Sequence, residues 1–414
     1  MPKGMTDKEF CLKNCNPSKE LPFTKKEYRE RLDKTKEMMD RKRMDLLFLS
    51  SPESMFYISG YKAEWYQAQS PKSWLPASGI AIHVDHDDFI HFDYVEEQVM
   101  ARYSTVSKDT RIFPEEAGRS MLDWIVGELK KENWLTGKIG VEMWSYRPNR
   151  AVSEMFQKKL EKNRCRVIDG TDIVRGLRTM KSPKEIEYTE KAARIADIGM
   201  RAAIETVKAG MTELEVYGEI IKVMAKAGGE NPAITLPVSS GKKSACMHAL
   251  SSRKRIAKGD IVNIDICGVY NRYHANMART LSIGNAHPAV KKVVQSSAGS
   301  FDLIRKMITP NLSVEDMMNS LKAYYEKTGI EKNNLWYGGY ELGIAFPPDW
   351  VGSFAYDAYT DQKDRLFVPG TVINYESNFF LPRRAGASLQ INTIIFTERE
   401  AKLLGEIQND LIVV

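Results

Sequence analysis

The segment NIDICGVYNRYHANMART, residues 263 to 280, constrains the fold more than any other, because it reads as a hairpin with polar positions on one face. Val262, Ile264 and Ile266 alternate with Asn263, Asp265 and Cys267, the period-2 pattern of a strand buried on one side. A two-residue turn at Tyr270 and Asn271 predicts that position 265 stands opposite position 276, since the two numbers average to the turn centre. Cross-strand partners project from the same face of a sheet. Asp265, Asn276, His274 and Ala278 are therefore expected on one surface, with an acid facing an amide.

The last part of the chain repeats that logic. Val372, Asn374 and Glu376 lie on one strand, Gln390 and Asn392 on the next, with a turn at Pro382 to Gly386 between them. Positions 376 and 390 centre on Arg383, which predicts Glu376 and Gln390 as cross-strand partners. Two hairpins, each offering an acid and an amide, are expected to form two walls of one pocket.

The chain of 414 residues, 43% hydrophobic, exceeds what one core usually supports, so two domains are expected. Its net charge of +6 is spread through the chain, and the lysine-rich stretch from Lys25 to Arg43 carries Glu27, Glu30, Asp33 and Glu37 at helical spacing. That pattern reads as a solvated helix face and gives no nucleic-acid partner. Five scattered cysteines, Cys11, Cys15, Cys165, Cys246 and Cys267, suggest reduced thiols inside a cell. With no signal-like N-terminus and no run of 18 apolar residues, a cytoplasmic protein without a membrane partner is expected.

Along residues 1 to 180, helical and strand patterns alternate: a helix from Lys25, strands at Leu46 to Leu49, Gly79 to Val84 and Phe89 to Tyr94, a helix near Ser120 to Lys131, and a strand at Lys138 to Glu142. This predicts an α/β N-terminal domain. Ser182, Pro183 and Glu185 supply an N-cap, a first-turn proline and a capping-box acid, so a new helix opens a second domain over 181 to 414. Thr212 with Glu215, and Ser313 with Asp316, mark two more helix starts among the strand hairpins. The second half reads as α+β, with helices packed on one side of a curved sheet.

At these residues the chain resembles the creatinase, prolidase and methionine aminopeptidase superfamily, whose C-terminal domain has the pita-bread fold. Metal enzymes of that superfamily use two Asp, a His in a glycine-rich turn, a Glu and a final Glu. Matched one at a time, these fall on Asp265, Asn276, Tyr340 in YGGYELGI, Glu376 and Gln390. Two divalent cations carry four positive charges, which two carboxylates offset poorly. The resemblance thus implies the branch without metal and no cofactor, leaving open a single ion on Asp265 and Glu376.

RYHANMARTLSIG and GYELGIAFPPDW resemble ectoine hydrolase, a relative of creatinase that splits a C–N bond in a cyclic amidine. SSGKKSACMHALSSRKRIAKGD, residues 239 to 260, is similar to the superfamily segment whose histidine contacts the reacting group, and the match falls on His248. The resemblance implies a hydrolase of a non-peptide C–N bond in a small zwitterionic compound, with His248, Asp265 and Glu376 catalytic. Tyr66, His274, Asn276, Tyr340, Glu341, Trp350 and Gln390 are the expected substrate contacts. It also implies a homodimer in which the partner's N-terminal domain closes the site near Tyr66. Two alternatives stay open: a metal-dependent Xaa-Pro dipeptidase or aminopeptidase P, and a catalytically silent binding protein.

Overall fold

In a computed structural model of the chain, residues 4–63, 72, 77–114, 120–359, 364–383 and 385–414 are described. Contacts divide it into two compact units, Met1–Arg178 and Thr179–Val414.

The first unit contains a six-stranded sheet of β1 (Leu46–Leu49), β2 (Gly79–His83), β3 (Phe89–Asp93), β4 (Asp109–Ile112), β5 (Lys138–Val141) and β6 (Arg166–Asp169), in the order β4-β3-β2-β1-β5-β6. Strands β1, β5 and β6 run parallel, whereas β2 is antiparallel to both β1 and β3. Phe48, Phe92, Trp124, Ile125, Phe156 and Leu160 join sheet and helices in one core. Helix Lys25–Arg41 is capped by Thr24, whose side chain accepts from the Glu27 N–H. It buries Tyr28, Arg31, Leu32, Thr35 and Met39 as one stripe and leaves its lysines to solvent.

The second unit opens on helix Pro183–Thr206, with the Ser182/Glu185 capping box in place. Its strands are β7 (Val238–Ser240), β8 (Ile261–Tyr270), β9 (Tyr273–Ser282), β10 (Leu312–Ser313), β11 (Asn334–Tyr340), β12 (Ala355–Asp357), β13 (Leu366–Phe367), β14 (Val372–Phe380), β15 (Ala387–Phe396), β16 (Ala401–Leu403) and β17 (Ile412–Val413). The main sheet has the order β12-β11-β14-β15-β9-β8-β7, with β16 beside β15 and β17 beside β9.

Helices Pro183–Thr206 and Glu213–Lys226 bury Ile195, Met200, Val216, Ile220 and Met224 against Ile264, Ile266 and Met277 of β8 and β9. Helices Pro288–Met307 and Val314–Thr328 pack Phe301, Ile304, Leu321 and Tyr325 against Ile373, Tyr375, Phe379 and Ile394 of β14 and β15. The alternation along each strand then sends Asp265, Asn276 and Glu376 out of the opposite face. This is the α+β architecture with a one-sided helical layer that the strand and helix patterns predict. Among the described residues no helix is long and apolar enough to cross a membrane.

Candidate active site

Strands β8 and β9 close through a two-residue turn at Asn271 and Arg272, with φ of 49° and 64°, the positive values a tight right-twisted hairpin demands. The turn sits one residue later than the pattern predicts, so Asp265 pairs with Ala278 and Asn276 with Cys267. A pairing displaced by two residues keeps every side chain on its face. Asn276 consequently meets Asp265 along a diagonal, with its Nδ2 donating to Asp265 Oδ1 at 2.8 Å.

In the second hairpin the expected register fails. Glu376 pairs with Ile391, and Gln390 pairs with Ser377, a shift of one residue. Such a shift exchanges the faces. Ser377 bonds to Ser297 and Tyr325 of the helical layer, so Gln390 is directed there, away from Glu376, and its side-chain amide makes no hydrogen bond among the described residues. The side chain that stands opposite Glu376 is the buried Ile391.

The site face carries two more amides: Asn374, which the alternation already sets with Glu376, and Asn378, which the hairpin pattern leaves unremarked. Asn374 Nδ2 donates to Asn276 Oδ1 at 3.1 Å and to Glu376 Oε1 at 2.9 Å, while Asn378 Nδ2 donates to Glu376 Oε2 at 2.9 Å. Both lie two residues from Glu376, and strict alternation along β14 is the signal that finds them. The chain runs Asp265, Asn276, Asn374, Glu376, Asn378, all buried.

Its polarity is set by the backbone. The Tyr340 N–H donates to Asn374 Oδ1 at 2.8 Å, which turns the Asn374 NH2 toward Asn276 and Glu376. Asn276 must then present its oxygen to Asn374 and its NH2 to Asp265 and to the Ile266 carbonyl. Gly339 permits this close approach of β11 to β14, since a Cβ there would fall 2.0 Å from the Asn374 carbonyl oxygen. Trp350 Nε1 donates to the Tyr340 hydroxyl at 2.9 Å, which frees the hydroxyl hydrogen for its bond to Glu376. Trp350 thus acts through Tyr340. Arg279 ties β9 to β15 from behind, donating to the carbonyls of Ala278, Ile391, Ile407 and Gln408.

Burial raises both acids, and the Glu376 charge raises Asp265 further. Asp265 is pushed up to about 8, first by desolvation and then by the Glu376 charge, against the bond from Asn276. Desolvation raises Glu376 to about 7, opposed by Asn378, Asn374 and Tyr340. Two carboxyls that exchange protons near neutrality are suited to general acid and base work.

Two further expected contacts, His274 and Glu341, are committed elsewhere, and His248 stands outside the amide network. His274 is fully buried and spends both ring nitrogens on backbone: Nε2 accepts from the Ala233 N–H at 3.1 Å and Nδ1 lies 2.9 Å from the Arg272 carbonyl oxygen. Desolvation and the neighbouring Arg272 lower it to about 3, so it is a neutral structural ring with no group left for a substrate. Glu341 is committed to a buried ion pair with Lys181 and accepts the Ser353 N–H at 2.6 Å. His248 is exposed in a turn, and no hydrogen bond joins it to the network among the described residues. Its neighbour Met247 reaches inward, with Sδ 3.9 Å from Asn378 Nδ2. Tyr66 lies outside the described residues.

The profile of metallopeptidase family M24 matches residues 187–398, more than half of the chain, and that of the creatinase/prolidase N-terminal domain matches 31–180. The chain belongs to family M24. A Xaa-Pro dipeptidase of Pyrococcus furiosus is 26% identical over 385 residues, covering 93% of this chain and 100% of that protein. An ectoine hydrolase of Halomonas elongata is 25% identical over 367 residues, covering 80% of this chain and 84% of the relative. The solved Xaa-Pro dipeptidase of Bacillus anthracis superposes with a TM-score of 0.76 at 19% identity, over 94% of this chain and 100% of its own. That likeness shows the two-domain fold with a pita-bread second domain, and the family is one of hydrolases.

The M24 name implies metal, and the donor set here does not fit it. Among the described residues no group of three or more His, Cys, Asp or Glu side chains is placed to hold an ion. A cation beside Asp265 Oδ1 would meet the amide hydrogens of Asn276, and Ile391 brings a hydrocarbon face to the position opposite Glu376.

Proposed function

We propose that this M24 hydrolase cleaves a non-peptide C–N bond of a small zwitterionic molecule, an amidine, amide or guanidino compound, without a resident metal ion. The observation that supports this reading is the directed amide chain between Asp265 and Glu376, which fills the space between the acids with N–H donors. In this reading the acids bind a cationic nitrogen group, and one of them takes a proton from water. The resulting hydroxide adds to the electrophilic carbon, the C–N bond breaks, and the leaving nitrogen receives a proton from His248 on the turn beside Met247. The same reading makes the active form a homodimer in the cytoplasm.

A second reading, a metal-dependent Xaa-Pro dipeptidase, is favoured by the full-length similarity to the Pyrococcus furiosus protein. Product analysis on creatine, ectoine, hydroxyectoine, betaine-type amides and Xaa-Pro dipeptides, each with chelator or with manganese or cobalt, separates the two. Hydrolysis of a small zwitterion in chelator supports the first. Dipeptide cleavage that depends on added metal supports the second, and ligand binding without any turnover supports a silent binding protein.

A further inference from the structure

Asn378 is fully buried on the site face, and its amide can point only one way. Nδ2 donates to Glu376 Oε2 at 2.9 Å; the flipped amide would set its oxygen against a carboxylate oxygen. The Oδ1 atom that this orientation leaves over is buried and has no hydrogen-bond partner among the described residues. The cross-strand partner of Asn378 is Leu389, and Met247 Sδ lies 3.9 Å from its Nδ2; neither side chain carries a strong donor. A buried acceptor left unpaired is unfavourable, and such atoms in native proteins call for an explanation.

Donors in the network are already spent. The Asn276 NH2 serves Asp265 and the Ile266 carbonyl, that of Asn374 serves Asn276 and Glu376, and that of Asn378 serves Glu376. What remains open beside Glu376 consists of acceptors: the second oxygen of Asp265, which takes no hydrogen bond among the described residues, and Asn378 Oδ1. Such a set selects a ligand that brings its own N–H groups. Of the other side-chain amides with unpartnered buried atoms among the described residues, Gln390 lies on the helical face and Asn334 at the start of β11, so Asn378 is the one that touches Glu376.

We propose that Asn378 is a substrate-binding residue whose amide oxygen accepts an N–H from a positively charged, N–H-bearing head group of the amidinium, guanidinium or primary ammonium class. This rests on the C–N hydrolase reading and narrows it. The tertiary amide nitrogen of a Xaa-Pro bond carries no hydrogen, so a dipeptide could meet this oxygen only through its terminal ammonium, whereas an amidinium presents several N–H groups in one plane beside its own C–N bond.

The test compares the substrate identified by product analysis with its N-methylated analogue, of equal charge and fewer N–H groups, in the full-length parent, Asn378→Ala and Asn378→Leu. The parent should prefer the N–H-bearing compound by about ten- to hundredfold in KM, the range of a hydrogen bond to a charged group. Both variants should raise KM for that compound and lose the preference; each also removes the Asn378 donor from Glu376, so the acid limb moves to higher pH and the two compounds are compared on the pH plateau of each variant. Asn378→Leu keeps the volume; it removes the unpaired oxygen and, with it, the donor to Glu376 Oε2, so thermal midpoints of both variants are measured to confirm that they fold. Variants that fold and still discriminate as the parent does would overturn the assignment while leaving the hydrolase reading in place. If neither variant folds, equal affinity of the parent for the two compounds overturns it. A parent that cleaves only Xaa-Pro dipeptides, and only with added metal, would sink both.

Discussion

Asn276 reaches Asp265 diagonally across a hairpin, at 2.8 Å, and gives it a hydrogen where a second carboxylate would give a charge. Replacing Asn276 with Asp should therefore remove that donor and add a third buried acid with no cation beside it. We expect Asn276→Asp to lose on the order of 3 kcal/mol of stability in urea at pH 7, as an uncompensated buried charge does. A variant as stable as the parent would show that this position tolerates charge.

Acidity around the two carboxyls sets a pH dependence. Asp265 and Glu376 titrate at about 8 and about 7 in the folded chain, well above an unfolded carboxylate at about 4. Folded protein thus holds more protons than unfolded protein across that window, and stability falls as pH rises toward 8. His274, lowered to about 3 and buried neutral, acts in the opposite sense, but only below its unfolded value of about 6.5. Urea melts between pH 6.5 and 8.5 should show declining stability in the parent and a flatter profile in Asp265→Asn.

The face of the first hairpin is legible in its letters, because an error of one residue at the turn moves the pairing by two and keeps Asp265, Asn276 and Ala278 together. The second hairpin carries no such protection. Its loop from Leu381 to Gly386 is longer, and a slip of one residue exchanges Gln390 for Ile391 on the site face. Asn374 is placed beside Glu376 by the same alternation, whereas Asn378 escapes notice because an amide two residues beyond an acid looks like an ordinary strand residue until its bond to Glu376 is seen. The commitments of His274 to Ala233 and Arg272, and of Glu341 to Lys181, depend on segments remote in sequence or on backbone groups that no side-chain pattern encodes.

His274 should behave as a structural residue. Removing the ring in His274→Ala leaves the Ala233 N–H unpaired and should cost about 1–3 kcal/mol, with KM unaltered in the folded fraction. A rise in KM at unchanged stability would return His274 to the substrate site.

Glu341→Gln leaves the Lys181 ammonium buried without its partner. The expected loss is about 3–5 kcal/mol, read as a lowered midpoint in urea.

Tyr340→Phe removes the hydroxyl that links Trp350 to Glu376. One of the contacts that favour ionised Glu376 disappears, so the acid limb of the pH–rate profile should move to higher pH. An unmoved limb would mean that the hydroxyl does not touch the titrating acid.

The directed amide chain between Asp265 and Glu376 is the centre of this account, and hydrolysis without metal is the proposal that rests on it. The direct measurement is turnover of the identified zwitterion by protein stripped with chelator, with elemental analysis of the same sample. The account predicts undiminished turnover with metal far below one ion per chain. Turnover abolished by the chelator and restored by manganese or cobalt would contradict it.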